Sequence, residues 1–254
     1  MEVDWSTLFI VSVVSNLLSS LSGGGTGLLQ LPAIIWLGLP FKVALATHKV
    51  TTIAMGVGAT FYALKRRNLR RDLVLLLLIS GLPGVLLGAH IVLLIPEEAG
   101  KSALGLLNIS IGLFSFSNKN LGQTVLKKSE HTHKSYLIGA AILFIIGIIN
   151  GSLTSGTGLM VTMCLILWFK LDYRLAIQHT LVIVGVFWNA VGAASLATSG
   201  AVNWEWVTIL TPGALIGSWL GVYLSSKIST RHIKKLFELV AILSGIYLFI
   251  GNIP

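Results

Sequence analysis

Two segments rich in glycine and hydroxyl side chains interrupt apolar sequence, and both could bind an anion. The first break reads Ser22-Gly23-Gly24-Gly25-Thr26-Gly27, and the second break reads Ser152-Leu153-Thr154-Ser155-Gly156-Thr157-Gly158. Free N–H groups at a helix start carry roughly half a positive charge, and glycine lets the backbone turn several of them towards one ligand. Hydroxyl groups add donors that suit oxyanions. We therefore expect anion-binding helices that begin at Thr26 and Thr157.

Three further polar residues lie inside apolar sequence. Lys49 lies eight residues into the stretch 41–64, where a charged side chain costs about 2.5–3.5 kcal/mol on insertion scales. It either snorkels to the outer surface or pairs with an anion. His48 and His179 lie 131 residues apart, as do the two breaks. Each histidine is either a packing residue or, as a matched pair, a substrate contact or protonation switch.

These features define a candidate substrate-binding set. Its members are Gly23, Gly24, Gly25, Thr26, Gly27, His48, Lys49, Thr154, Ser155, Gly156, Thr157, Gly158 and His179. Other polar groups within apolar sequence are Asn16, Gln30, Thr51, Thr52, Asn150, Gln178, Thr180 and Asn189, of which some are expected only to bridge helices. Close helix packing is the alternative explanation of the glycines and serines.

The acidic residues argue against a cation as ligand. All nine lie at chain ends or in the loops between apolar stretches. A cation pathway or a carboxylate proton relay normally has an acid within the membrane. The polar groups at depth are donors instead, and this balance favours an anion.

The elements that must position these residues are transmembrane helices. The chain has 254 residues, of which 54% are hydrophobic and only 11% charged, with a mean hydropathy of +0.86. A soluble domain carries roughly 25% charged residues. The start, Met1-Glu2-Val3-Asp4, lacks a basic region, so no cleavable signal is expected. The single cysteine, Cys164, is expected to be a small packing residue.

An internal repeat organises the apolar stretches, and the predicted fold is an all-α polytopic membrane protein. Repeat 1 (1–117) has a broken-helix hairpin 5–39 and helices 41–64, 72–95 and 101–117. A cytoplasmic linker, 118–134, separates it from repeat 2 (135–254), with hairpin 135–169 and helices 173–198, 204–225 and 233–251. The match rests on Thr26-Gly27-Leu28 against Thr157-Gly158-Leu159 and on Pro83-Gly84 against Pro212-Gly213.

Basic residues predict that the two repeats are inverted in the membrane. The loop 65–71 is strongly basic, whereas its counterpart 198–204 has no basic residue; the loop 95–100 is acidic, whereas its counterpart 227–235 is basic. Because cytoplasmic loops are enriched in Lys and Arg, this places both termini outside the inner membrane.

The net charge of +9 lies in these short loops and not on one soluble face, so nucleic acid is not expected as a partner. His131 and His133 in the linker have no third ligand nearby, and no metal or cofactor is predicted.

Specific runs resemble a known family. The run Ser22 to Pro32 (SGGGTGLLQLP), followed by Ala44-Leu45-Ala46-Thr47-His48-Lys49, resembles the sulfite exporter TauE/SafE family. Gly151 to Gly158 and Ala176-Ile177-Gln178-His179-Thr180 look like its second repeat. The resemblance covers nearly the whole chain and implies a multi-pass permease for sulfite, thiosulfate, organosulfonates or related anions. At His48-Lys49 the family more usually has small hydroxylated residues, which leaves the substrate open.

We therefore expect a secondary transporter, with export as one direction, in which two breaks bind a small sulfur-containing anion near the midplane and the repeats give alternating access. A passive anion channel of the same architecture is the alternative. An intramembrane enzyme is disfavoured because the chain has no paired acids, no His-Glu-x-x-His and no Gly-x-Ser-x-Gly. A purely structural subunit would leave the paired breaks unexplained. The lipid bilayer is a partner, and proton coupling and a homodimer stay open.

Overall fold

The computed structural model describes residues 4–22, 25–64, 69–117, 132–224 and 230–250, and this part of the chain is all-helical with short connections. The first six helices are Trp5–Ser22 (α1), Thr26–Trp36 (α2), Phe41–Leu64 (α3), Arg71–Leu94 (α4), Glu97–Ser117 (α5) and His133–Ser152 (α6). The others are Thr157–Leu167 (α7), Tyr173–Val182 (α8), Asn189–Ala197 (α9), Trp204–Leu224 (α10) and Thr230–Ile250 (α11). A π-helical turn, Ile183–Trp188 (the π segment), joins α8 to α9.

Among the described residues, five helical stretches are long and apolar enough to cross a membrane: α4, α5, α6, Tyr173–Ala197 and α10. Large apolar side chains on them point outward, with Ile79, Leu137 and Trp219 exposed by 73%, 74% and 68%. Such a surface suits contact with lipid chains and would be a liability in water. The stretches indicate a multi-pass membrane protein.

The helices after the breaks are too short to cross a membrane alone. α2 and α7 each have 11 residues, about 16 Å of helix against a hydrocarbon core of about 30 Å. Each follows a glycine in the left-handed region, Gly25 with a φ of 119° and Gly156 with a φ of 66°. They begin at the two threonines at which the sequence pattern places the helix starts.

Helix pairs pack backbone to backbone through glycine. A Cβ atom on Gly88 of α4 would lie 2.1 Å from the Ile148 carbonyl oxygen of α6, and one on Gly217 of α10 would lie 2.2 Å from that of Val13 in α1. Without a hydrophobic force between helices in lipid, close approach through small residues supplies the attraction. Contacts of this kind occur between α4 and α6, between α10 and α1, and also between α5 and α11, where a Cβ on Gly105 would lie 2.8 Å from the Gly245 carbonyl oxygen. The repeat boundaries and their orientation in the membrane remain predictions.

The region predicted as one helix, 173–198, contains the π segment instead of continuous α-helix. Trp188 at its end is fully buried, and its indole N–H donates to the Leu77 carbonyl oxygen at 3.1 Å. The ring fills the space that a side chain at Gly81 would need. A π turn inserts one residue into a helix and is common at functional sites. Here it brings Gly185 against Gly56 of α3, where an added Cβ on Gly56 would lie 2.5 Å from the Gly185 carbonyl carbon.

Several predicted features fall on parts that the structure leaves undescribed. Gly23, Gly24, most of the basic loop 65–71, part of the basic loop 227–235, and His131 lie outside the described residues. His133 begins α6, so that helix starts two residues earlier than the predicted boundary.

We expect Gly88→Ala to destabilise the protein strongly, because the new methyl group would lie against the Ile148 carbonyl oxygen and force α4 and α6 apart. Overpacking of this kind costs about 1–3 kcal/mol, and a clash with backbone belongs at the upper end. Thermal unfolding in detergent micelles measures the effect. Leu87→Ala, at the outward-facing neighbour, should stay within about 0.5 kcal/mol. Equal stability of the two variants would contradict the packing.

Candidate functional site

The two breaks touch each other and share one cavity. A Cβ atom on Gly27 would lie 2.9 Å from the Cα atom of Ser155 and 3.2 Å from the Thr154 side chain. The cavity is lined on one side by Gly25, Thr26 and Gly27, and on the other by Thr154, Thr157 and Gly158. Residues 131 positions apart in sequence therefore face one another across a single polar space.

The first residues of both helices, Thr26 and Gly27 in α2 and Thr157 and Gly158 in α7, line this cavity. Neither Gly25 nor Gly156, which precede α2 and α7, offers a side chain that caps the helix. The first N–H groups of a helix have no partner inside it, and their dipoles favour negative charge. Two such ends converge here, one from each half of the chain.

The hydroxyl groups of the breaks are largely engaged within the protein. Thr26 Oγ1 donates to Ser19 Oγ at 2.7 Å, and Thr157 Oγ1 donates to the Thr154 carbonyl oxygen at 2.7 Å. Ser155 Oγ donates to Asn108 Oδ1 at 2.6 Å. Because these hydroxyl hydrogens are already donated within the protein, the hydroxyl groups stabilise the conformation of the breaks. Backbone N–H groups are therefore more available than hydroxyl groups to bind a ligand.

Asn108 ties the two breaks together from α5. Its Oδ1 accepts from Ser155 in the second break, and its Nδ2 donates to Ser244 Oγ at 3.2 Å. Ser244 in turn donates to the Leu28 carbonyl oxygen of α2 at 2.9 Å. Asn108 is not among the polar residues predicted from the sequence, although an asparagine within the apolar stretch 101–117 is a signal that could have identified it. In the structure it is fully buried.

Lys49 lies fully buried behind the second break and does not reach the surface. Its Nζ donates to the Asn150 carbonyl oxygen at 2.7 Å, to Asn150 Oδ1 at 3.1 Å and to Thr154 Oγ1 at 3.1 Å. The absence of a side chain at Gly192 leaves room for the ammonium group, since a Cβ there would lie 3.1 Å from Nζ. Within the described ranges no carboxylate lies within 4.0 Å of this ammonium.

His48 lines the cavity, whereas His179 does not. His179 accepts from the Arg70 backbone N–H at 2.9 Å through Nε2, and its Nδ1 contacts the Leu175 carbonyl oxygen at 2.8 Å. Thr180 lines the cavity instead. The breaks are 131 residues apart but α3 and α8 begin 132 apart, and this one-residue shift carries His179 away from the position that matches His48.

Four polar residues that the sequence analysis named only as groups within apolar sequence also line the cavity: Thr52, Asn150, Thr180 and Asn189. Asn189 Nδ2 donates weakly to the Gly185 carbonyl oxygen at 3.4 Å. Asn189 Oδ1 is buried and has no hydrogen-bond partner among the described residues. An unpaired buried acceptor is costly, so this atom can accept from a water molecule or a protonated ligand.

The cavity combines converging helix starts and amide groups, with no acidic residue in its lining. The buried cation Lys49 is not part of the lining, but it bonds to two lining residues, Asn150 and Thr154. Such a set can hold a small anion by charge and hydrogen bonds. In the part of the chain that the structure describes, no three His, Cys, Asp or Glu side chains cluster as a metal site would need.

Known proteins resemble the chain along nearly its whole length. It is 24% identical to the probable membrane transporter protein YunE of Bacillus subtilis (strain 168), over 97% of both chains. It is 26% identical to a probable membrane transporter protein of Haemophilus influenzae, over 84% of this chain and 82% of the other. It is also 26% identical to the probable membrane transporter protein ORF9 of Sinorhizobium sp, over 95% and 90%. No solved structure matches it.

The sequence model of the family described as sulfite exporter TauE/SafE matches residues 8–248. That match spans both breaks, the cavity and every stretch that is apolar enough to cross a membrane. The chain therefore belongs to the sulfite exporter TauE/SafE family.

Proposed function

We propose that the protein is a secondary transporter of a small sulfur-containing anion, which binds between the two breaks and reaches either side of the membrane in turn. The observation that carries this proposal is the direct contact of the breaks around one cavity, with Lys49 and no carboxylate beside it. A buried ammonium without a counter-charge is unfavourable, and an anion in the cavity would offset that cost.

The cavity size favours a compact ligand. The cavity volume, counted over the positions that the centre of a water molecule can occupy, is about 30 Å³. A single water molecule takes up roughly 10–15 Å³ on the same scale. Two or three water molecules would fill it, which suits an inorganic oxyanion such as sulfite or thiosulfate. An organosulfonate, with its added carbon chain, would require the cavity to widen.

A carrier explains the geometry better than a passive channel does. Gly27 and Ser155 lie in van der Waals contact between the two halves, which leaves no wide path at this point. The repeated packing of α4 on α6 and of α10 on α1 supports two related units that rock against each other around the site. The basic loops predict that both termini lie outside the inner membrane. An inside-negative potential favours export of an anion, by about 2.3 kcal/mol per charge per 100 mV.

Transport by purified protein in liposomes tests the proposal. Uptake of radiolabelled thiosulfate and sulfite should saturate with concentration and should show counterflow when unlabelled anion is loaded on the other side. Taurine and sulfoacetate should compete weakly because of their added carbon atoms. Flux that rises linearly with concentration, without counterflow, would favour the channel. Absence of binding by either inorganic anion would overturn the assigned substrate class.

We expect Gly156→Leu to abolish anion binding while the protein stays folded. The residue has a φ of 66°, and even a Cβ atom would lie 2.1 Å from Ile111 Cδ1, so the second break must move. Gly38→Leu is the matched control, because Gly38 also has a positive φ, of 110°, but meets no atom within 4 Å. Scintillation-proximity binding of labelled thiosulfate, with gel filtration as a check on folding, makes the comparison. Normal binding by Gly156→Leu would remove the second break from the site.

Lys49→Met should weaken anion binding by about tenfold or more, which corresponds to at least about 1.4 kcal/mol. Methionine keeps most of the side-chain volume but removes the buried charge and its hydrogen bonds to Asn150 and Thr154. Lys101→Met is the control, because Lys101 pairs with Glu97 at 3.1 Å, away from the cavity lining. Dissociation constants for thiosulfate at fixed ionic strength measure both effects. If the two variants bind equally well, the charge of Lys49 has no role in binding.

A further inference from the structure

A chain of hydrogen bonds fixes the orientation of His48 from outside the cavity. Ser12 Oγ on α1 donates to the Leu210 carbonyl oxygen of α10 at 2.6 Å, so its only hydrogen is committed. Gln30 Nε2 then donates to Ser12 Oγ at 3.2 Å. The opposite amide orientation would place two acceptors against each other. Gln30 Oε1 therefore faces His48 Nδ1, at 2.8 Å.

This arrangement settles which imidazole nitrogen carries the permanent hydrogen. Gln30 Oε1 can only accept, so His48 Nδ1 must donate to it. In the neutral imidazole the other nitrogen, Nε2, then carries a lone pair. His48 is 2% exposed and lines the cavity between the breaks.

Thr52 completes a binding site for one proton at Nε2. Its hydroxyl oxygen lies 2.7 Å from the His48 carbonyl oxygen and 3.2 Å from His48 Nε2. While the imidazole is neutral, the hydroxyl can rotate to donate to either of these acceptors. Once Nε2 carries a proton, the hydroxyl donates to the carbonyl oxygen and its lone pair accepts from Nε2–H. A proton added at Nε2 would find a hydrogen-bond acceptor already in place.

The charges around His48 make that proton depend on an anion. Lys49, the next residue, is a buried cation with no carboxylate within 4.0 Å in the described ranges. The other helices packed against α3 carry their titratable or charged side chains near the helix ends. These residues are Glu97, Glu98 and Lys101 in α5, Tyr173, Arg174 and His179 in α8, and Glu205 and Tyr223 in α10. Among them, Glu97 accepts from the Phe41 backbone N–H and His179 accepts from that of Arg70. An imidazolium would thus be a second buried cation, which is unfavourable until an anion enters the cavity.

We propose that the anion binds together with one proton, which resides on His48 Nε2. This inference rests on the proposed function and adds the coupling ion to the same site. By thermodynamic reciprocity, the anion must strengthen proton binding by the same factor as the proton strengthens anion binding. A dianion that crosses with one proton carries a single net negative charge, which halves the effect of the membrane potential on its transport.

Proton uptake on binding tests the proposal directly. Purified protein in weakly buffered micelles is mixed with thiosulfate, which stays a dianion between about pH 5.5 and 8, the range in which histidine commonly titrates. A pH indicator measures proton uptake, and labelled thiosulfate measures binding in the same samples. We expect about one proton taken up per anion bound near the middle of this range. Above it, Kd should rise by up to about tenfold per pH unit.

His48→Gln should remove the uptake and flatten the dependence of Kd on pH, while weaker thiosulfate binding remains. His90→Gln is the matched control, since His90 is exposed on α4 and contacts only the Leu86 carbonyl oxygen of its own helix. Thr52→Val provides a second test that leaves the imidazole intact, and it should lower uptake at a given pH because the acceptor for the added proton is lost. Thr52→Ser should restore uptake.

The two readouts separate this inference from the proposed function. Thiosulfate binding without proton uptake, or uptake that persists in His48→Gln, would overturn the proton site and leave the anion site standing. If neither thiosulfate nor sulfite binds, the proposed function fails and the coupled proton fails with it.

Discussion

Backbone hydrogen bonding in lipid is the constraint on which the rest of this structure depends. A helix that stops within hydrocarbon exposes N–H and C=O groups that no water can satisfy. We propose that the first and second breaks are two such stops and that each covers the other. Gly27 lies against Ser155. Asn108 bonds directly to Ser155 and, through Ser244, to the Leu28 carbonyl oxygen beside the first break. The breaks can exist because they meet, and the polar space between them follows from that meeting.

Glycine then determines how closely the remaining helices approach. Gly88 and Gly217 bring backbone against backbone at two interfaces, and Gly56 meets Gly185 where the π segment crosses α3. Because backbone packs directly on backbone, no side chains lie between the two helices that could adjust to a sliding motion. Two helices joined in this way are therefore expected to move together. Each of these helix pairs joins a helix of the first repeat to a helix of the second. A rocking motion would therefore move such a pair as one unit relative to the other pair, around the central polar site.

The electrostatics of the cavity complement an anion and disfavour a cation. Lys49 bonds only to oxygen atoms of Asn150 and Thr154, so its charge remains uncompensated by any carboxylate in the described part of the chain. His48 has one nitrogen fixed by Gln30 and the other towards Thr52. In the proposed site, a fixed cation and an adjacent protonatable group would give two ways to balance a dianion, one permanent and one that varies with pH.

The sequence by itself determined the helical class, the membrane setting, the family and the position of the breaks, because hydropathy, glycine content and hydroxyl content are local properties of the chain. It also indicated that Lys49 and His48 are unusual, since each stands alone in apolar sequence. Only the tertiary structure decided which polar groups share the cavity. A register shift of one residue places Thr180 in the cavity lining and turns His179 towards Arg70. The π segment, which no local sequence pattern predicted, brings Asn189 to the lining. These outcomes depend on how helices distant in sequence pack, and a single residue of offset rotates a helix face by about 100°.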